Sequence, residues 1–167
     1  MNKKFLSALI CGFGAAIPTA IQSMQGVACC LLVPFASGFA IFIYKKSQPD
    51  LLKINTGTGI LIGVLTAIVA AFFASSFDVI ITYITKSSEI ISTLPQAEKL
   101  VKDLNLGTAA DESLKILHKI TEDIHTKGFS FYYTFLITIT NFITYPISGI
   151  IGGIVGTAII NKRNQIF

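Results

Sequence analysis

Three groups of side chains in this 167-residue chain have types and spacings that could do chemistry. The first is a set of thiols. Cys29 and Cys30 are adjacent in the apolar stretch GVACCLLVP (26–34), and Cys11 lies further back. Two thiolates can bind a soft metal ion or take part in redox exchange. Neighbouring helical residues point about 100° apart, so a Cys29–Cys30 disulfide would distort the backbone. Free thiols in an apolar setting also act simply as small hydrophobes. The second group is His118, Glu122 and His125, which share one helical face at i, i+4 and i+7. Two imidazoles and a carboxylate can hold zinc, and a solvated polar face has the same pattern. The His-Glu-x-x-His order of a zinc protease is absent, and the chain has no third histidine. The third is Asp78, the one charge in a long apolar run, flanked by Ser75, Ser76 and Thr82. It reads as a helix-end carboxylate near enough to the membrane interface to reach water. A proton or cation site is the other reading.

Little else in the chain suggests catalysis. It contains no Walker A loop, no Gly-x-Ser-x-Gly elbow and no dinucleotide fingerprint. It has no Trp and a single Arg, and its apolar runs hold no clustered acids. The expected class is therefore non-enzymatic, with no cofactor.

The elements that carry these residues follow from charge placement. Charged residues make up 13% of the chain, about half the share usual in soluble domains. No Asp, Glu, Lys or Arg occurs in the 40 residues from Phe5 to Tyr44. A membrane-crossing helix needs roughly 20 apolar residues, so this run can cross twice, turning at the polar QSMQG (22–26). A second apolar run reaches from Gly57 to Tyr83 and a third from Phe129 to Ile160. The expected fold is all-α: one polytopic membrane domain over 1–167, with four transmembrane helices near 5–23, 27–44, 57–85 and 129–160. The last exceeds the bilayer and should tilt, kink at Pro146 or project. The N-terminus reads as an uncleaved anchor, since cleavage after Ala20 would put Pro18 where a signal peptide wants a small residue.

Basic residues set the orientation. Lys3, Lys4, Lys45, Lys46, Lys53, Lys162 and Arg163 all fall at one end of a four-pass bundle, opposed by the single acid Asp50. That end should be cytoplasmic, which makes this a multi-pass protein of the cytoplasmic membrane with both termini in the cytoplasm. The basic balance thus reflects topology, and no nucleic-acid partner is expected. The polar segment 86–127 should be an extracytoplasmic amphipathic helical hairpin. In it, TLPQ (93–96) has capping-box spacing, Ala97, Leu100, Val101 and Leu104 share a face, and Gly107 can end the helix. Asp111 and Glu112 suit the start of a second helix with a Leu114, Leu117, Ile120, Thr121, Ile124 stripe, ended by Gly128.

In lipid, helices associate through close backbone approach and interhelical hydrogen bonds. Small residues recur every four positions at Ala8, Gly12, Ala16 and Ala20, and again at Gly59, Gly63, Ala67 and Ala71. The last helix carries Ser148, Gly152 and Gly156, with Gly149 and Gly153 alongside. Further up it, Thr134, Thr138, Asn141 and Tyr145 extend a seam that should face the bundle interior. Gly12, Gly59, Gly63, Asn141, Gly152 and Gly156 are the expected helix-packing positions. The same polar seam could line a path through the membrane.

Two resemblances attach to these stretches. The ACCL stretch resembles the paired cysteines of bacterial mercuric-ion transport proteins, which implies Cys29 and Cys30 as soft-metal ligands. The wider pattern GFGAAIP, ACCLLVP, GTGILIG and GGIVGTAIINKR resembles a family of uncharacterised small four-helix prokaryotic membrane proteins. That resemblance implies a fold and a topology but no activity. The expected function is a structural or partner-interaction protein in the lipid bilayer, self-associating or bound to another membrane protein. A small transporter or channel, with soft metal ions as one candidate cargo, is the alternative.

Overall fold

A computed structural model describes residues 3–21, 28–49, 51–104 and 107–163. Among the described residues all regular structure is helical. The expected turn at 22–26 lies outside them. Helix α1 is Lys3–Ala16, followed by a 3-10 turn, Ile17–Ala20, with Pro18 near its start. It is shorter than the expected 5–23. Helix α2, Val33–Lys46, is preceded by one wide π turn, Ala28–Leu32. Pro34 follows that turn and has no N–H to donate, and a local π turn lets the chain re-satisfy its carbonyls. Helix α3 is Thr56–Thr85, α4 Glu89–Leu104, α5 Thr108–Lys127 and α6 Phe131–Arg163, which continues through Pro146. Three helical stretches are long and apolar enough to cross a membrane: Cys29–Lys46, Thr56–Thr85 and Phe131–Arg163. These indicate a membrane protein. Helix α1 is not among them, so four crossings go beyond what these lengths establish.

The chain divides into two compact units, Met1–Phe77 with Thr138–Phe167, and Asp78–Ile137. In the first, glycines set the helix directions. Positions 34 and 152 meet where a Cβ on Gly152 would strike the Pro34 carbonyl, and Gly156 faces the Gly38 Cα at 2.7 Å from where its Cβ would lie. The two pairs keep one offset, so α2 and α6 run parallel. Gly59 abuts Gly153 and Gly63 abuts Gly149, so α3 and α6 run antiparallel. Gly12 packs on Thr66 and Val69, and Phe13 stacks edge-on against Phe73, so α1 follows α3. The interior is made of small residues, with Ala8, Ala16, Ala67, Ala70 and Ala71 fully buried. Large apolar side chains point outward, among them Phe72, Ile143, Ile147, Ile151 and Ile159. An apolar exterior around a small-residue interior is what a lipid solvent favours.

The second unit is the lower end of α3, the α4/α5 pair and the start of α6. Ile120, Ile124 and Tyr133 form its core, with Ile90 and Ile91 packed on them. Gly128 ends α5 as expected. Its φ is 72°, its N–H reaches the Ile124 carbonyl, and a Cβ there would lie 2.8 Å from the Tyr83 carbonyl. Two expectations are corrected. Helix α4 begins at Glu89, so TLPQ lies inside it, and the Thr93 hydroxyl turns back to the Ile90 carbonyl. Gly107 stands at the N-terminal cap of α5 with φ 78°, while α4 ends at Leu104. The earlier start adds Ile90, Ile91 and Leu94 to the packed part of α4. Leu100 and Leu104 of the expected stripe are exposed.

Candidate functional site

The thiols do not converge. All three cysteines are free: Cys11 is buried, Cys29 half-buried and Cys30 exposed. Cys29 Sγ lies 3.7 Å from Ser148 Oγ on α6, so its nearest polar neighbour is a hydroxyl. The π turn carries Cys29 towards the α1/α3 core and Cys30 away from it. The histidine face is exposed, and His118 Nε2 pairs with Glu98 of α4 at 3.1 Å, across the hairpin from Glu122 and His125. Among the described residues no three His, Cys, Asp or Glu side chains come together as metal ligands.

Gly12, Gly59, Gly63, Gly152 and Gly156 are all buried against neighbouring helices of the first unit. Asn141 is half-buried and its amide donates to Ser75 Oγ at 3.0 Å. Tyr145 is buried in the alanine core. The small-residue faces that suggested self-association are thus filled by the chain's own helices.

Asp78 is a correction. It is only 5% exposed, and Tyr133 Oη donates to its Oδ2 at 2.5 Å. A charged acceptor shortens and strengthens such a bond. The carboxylate is held by a tyrosine 55 positions away, so its distance from the helix end gave no measure of its access to water.

Sequence reasoning missed a groove. Between α2 and α6 lies an apolar trough of about 500 Å³. Its floor is Gly38, Gly152 and Gly156, where the backbones come together. Phe39 and Phe42 stand on one wall and Val155 and Ile159 on the other. The parallel offset that pairs Gly38 with Gly156 puts Lys45 level with Arg163, and both line the same trough. The Lys45 ammonium also donates to the Leu51 carbonyl, which fixes it at that end. The sequence signal was available: Phe35, Phe39 and Phe42 project from a helix that ends in two lysines. The groove can take an apolar chain along its length and an anion at its basic end.

Comparison with protein-family models, with curated proteins and with solved structures gives no match for this chain, so function is read from its geometry alone.

Proposed function

We propose that the chain is a non-enzymatic, four-pass integral membrane protein of the cytoplasmic membrane, and that it acts by holding an anionic phospholipid in the α2/α6 groove. The observation that carries this is the groove itself, apolar along its walls and closed at one end by Lys45 and Arg163. Basic pockets between membrane helices on the cytoplasmic side suit lipid phosphates, at about 1 kcal/mol per Lys or Arg. The bundle presents this face as a structural or partner-interaction protein would.

The fourth crossing is supported by α1. With its 3-10 turn it is about 29 Å long, close to the thickness of a hydrocarbon core. It also runs beside α2 in the opposite sense. Lys3 Nζ reaches the Ser47 carbonyl at 2.9 Å, Lys4 lies over the Tyr44 ring, and Cys11 packs with Ala40 and Ile41. A helix that matches a spanning helix residue for residue covers the same depth. Seven basic residues then gather at one end, as the positive-inside rule asks of the cytoplasmic side. In intact cells, an impermeant maleimide is expected to label Lys115→Cys on the hairpin, and Lys53→Cys only after permeabilisation. The reverse pattern would invert the topology.

Native mass spectrometry from mixed micelles tests the lipid. Phosphatidylglycerol is expected to stay bound where phosphatidylcholine is lost. The Lys45→Ala, Arg163→Ala double variant should lower its retention about tenfold or more, since losing two such charges removes ~2 kcal/mol. Equal retention of both lipids by the native protein would defeat the proposal.

A further inference from the structure

The chain has a consistent way of settling hydroxyls inside helices. Thr66, Ser76, Thr85, Thr121, Thr144 and Thr157 each turn back to the carbonyl four residues earlier, at 2.7–3.0 Å. This is the default for Ser and Thr in a helix cut off from water. In the second unit Thr85 and Thr121 keep this pattern, but a group of buried hydroxyls departs from it. Among the described residues, the hydroxyls of Thr82, Ser130 and Thr134 are buried and have no hydrogen-bond partner within the chain. Thr82 is 2% and Ser130 1% exposed. Thr82 could bond back to residue 78 and Thr134 to residue 130, yet neither does. A buried hydroxyl left without a partner costs about 1–3 kcal/mol, and here three occur together.

Their placement is set by helix register. In this unit α3 packs on the start of α6 and on the residues that lead into it, with Tyr83 against Gly128, three residues before α6, and Asp78 bonded to Tyr133. Both pairs keep the same register. It puts Asp78 level with Tyr133 and within one residue of Thr134, and Thr82 within one residue of Ser130. Asp78 and Thr82 share one face of α3, one turn apart. Ser130 stands immediately before α6 and Thr134 lies one turn on, its N–H donating to the Ser130 carbonyl at 3.0 Å. A carboxylate, a phenol oxygen and three hydroxyls therefore lie within two adjacent rungs of one helix pair, away from water.

We infer that this cluster is a binding site for an alkali-metal cation, held by the Asp78 carboxylate and the Thr82, Ser130 and Thr134 hydroxyl oxygens, with Tyr133 orienting the carboxylate. Hard oxygen donors suit hard cations. The single carboxylate selects charge: a monovalent ion leaves the buried site neutral, whereas a divalent ion would leave an uncompensated charge in a low dielectric. Ionisable residues within membrane-spanning segments are costly and usually serve transport or binding. The site is independent of the lipid groove, so either can fail alone.

Thermal unfolding of the purified full chain in detergent tests it. Sodium or potassium chloride is compared with choline chloride at equal ionic strength, since choline is too large for the cluster. The native protein is expected to melt about 5 °C or more higher in at least one alkali salt. Thr82→Val and Ser130→Ala, which remove only a hydroxyl, should abolish that difference while keeping the fold. Thr85→Val, whose hydroxyl is exposed and already satisfied by Ile81, should retain it. Asp78→Asn should also lose it, and if that variant does not fold, the two hydroxyl variants decide the matter. Equal melting of the native protein in all three salts would overturn the inference, with a proton or water then completing the cluster. So would an alkali effect that survives in both Thr82→Val and Ser130→Ala.

Discussion

Gly63→Leu is expected to prevent the helical bundle from forming, whereas Gly14→Leu leaves it intact. A Cβ at position 63 would press into the Gly149 carbonyl and lie 3.0 Å from the Gly153 Cα. Those are backbone atoms of α6, so no rotamer change can relieve the overlap. The helices would have to separate, opening the Gly59/Gly153 contact as well and loosening the Ser37 hydroxyl from the Gly63 carbonyl, which it reaches at 3.3 Å. Overpacking usually costs 1–3 kcal/mol where neighbours can yield. With backbone on both sides, about 4 kcal/mol or more is expected. Gly152→Leu meets the Pro34 carbonyl in the same way. Nothing lies within 4 Å of a Cβ at Gly14, so Leu there should change stability by less than ~0.5 kcal/mol. Unfolding in mixed micelles, followed by loss of helical signal, reads the difference. The outcome also separates two roles for small-residue seams. If Gly63→Leu kept the native unfolding midpoint and altered only the oligomeric mass, the seam would serve association between chains. The contacts within the first unit predict the opposite.

That result turns on which features of a sequence are local. The limits of α3 were legible almost to the residue, at 57–85 against Thr56–Thr85, because Lys53 and Lys86 bracket an apolar run. The buried faces of α3 and α6 were legible too, since Gly, Ala and Ser at four-residue spacing have few other uses in lipid. Failures arose where a distant partner decides. Pro95 was expected in the first turn of its helix, yet α4 starts six residues before it. Proline inside a helix costs about 3 kcal/mol. Burying Leu94 returns about 1.5–3 kcal/mol, and the half-buried Ile90 and Ile91, packed on Ile120, Ile124 and Tyr133, each return part of that again. Burial therefore outweighs the broken ladder, and only tertiary structure reveals it. Asp78 follows the same logic, since no window of sequence around it contains Tyr133. The groove is less local still, because its walls come from helices at opposite ends of the chain, and its basic end exists only through the register of α2 on α6. The thiols and the histidine face had suggestive spacing, but spacing along one chain does not decide convergence, and among the described residues no three His, Cys, Asp or Glu side chains come together.

Asn161→Ala is expected to destabilise the basic end of the bundle by about 2–3 kcal/mol. Asn161 stands in the last turns of α6, and its side chain makes two bonds to one residue of the α2–α3 loop. Its Oδ1 accepts the Ile54 N–H at 2.9 Å, and its Nδ2 donates to the Ile54 carbonyl at 2.8 Å. The amide thus imitates a strand partner for a backbone that has none. Ile54 is 3% exposed and sits in a cluster with Ile62 and Tyr44. Truncation leaves an N–H and a C=O unpaired beside that cluster, and each such loss costs about 1 kcal/mol or more. Asn161→Asp keeps the acceptor but sets a carboxylate against the Ile54 carbonyl, so it should be no better than alanine. Amide exchange at Ile54 and proteolysis in residues 47–55 should both accelerate, while exchange at Thr66, deep in α3, stays unchanged. Unchanged exchange at Ile54 would show that the loop is held by burial alone. The consequence reaches the groove. Asn161 lies two residues before Arg163, and Lys45 is tied to Leu51 of the same loop. One amide therefore couples the loop to the helix whose charges close the trough. Phosphatidylglycerol retention should fall in Asn161→Ala even though both charges remain, because the two cations are then no longer held at a common level.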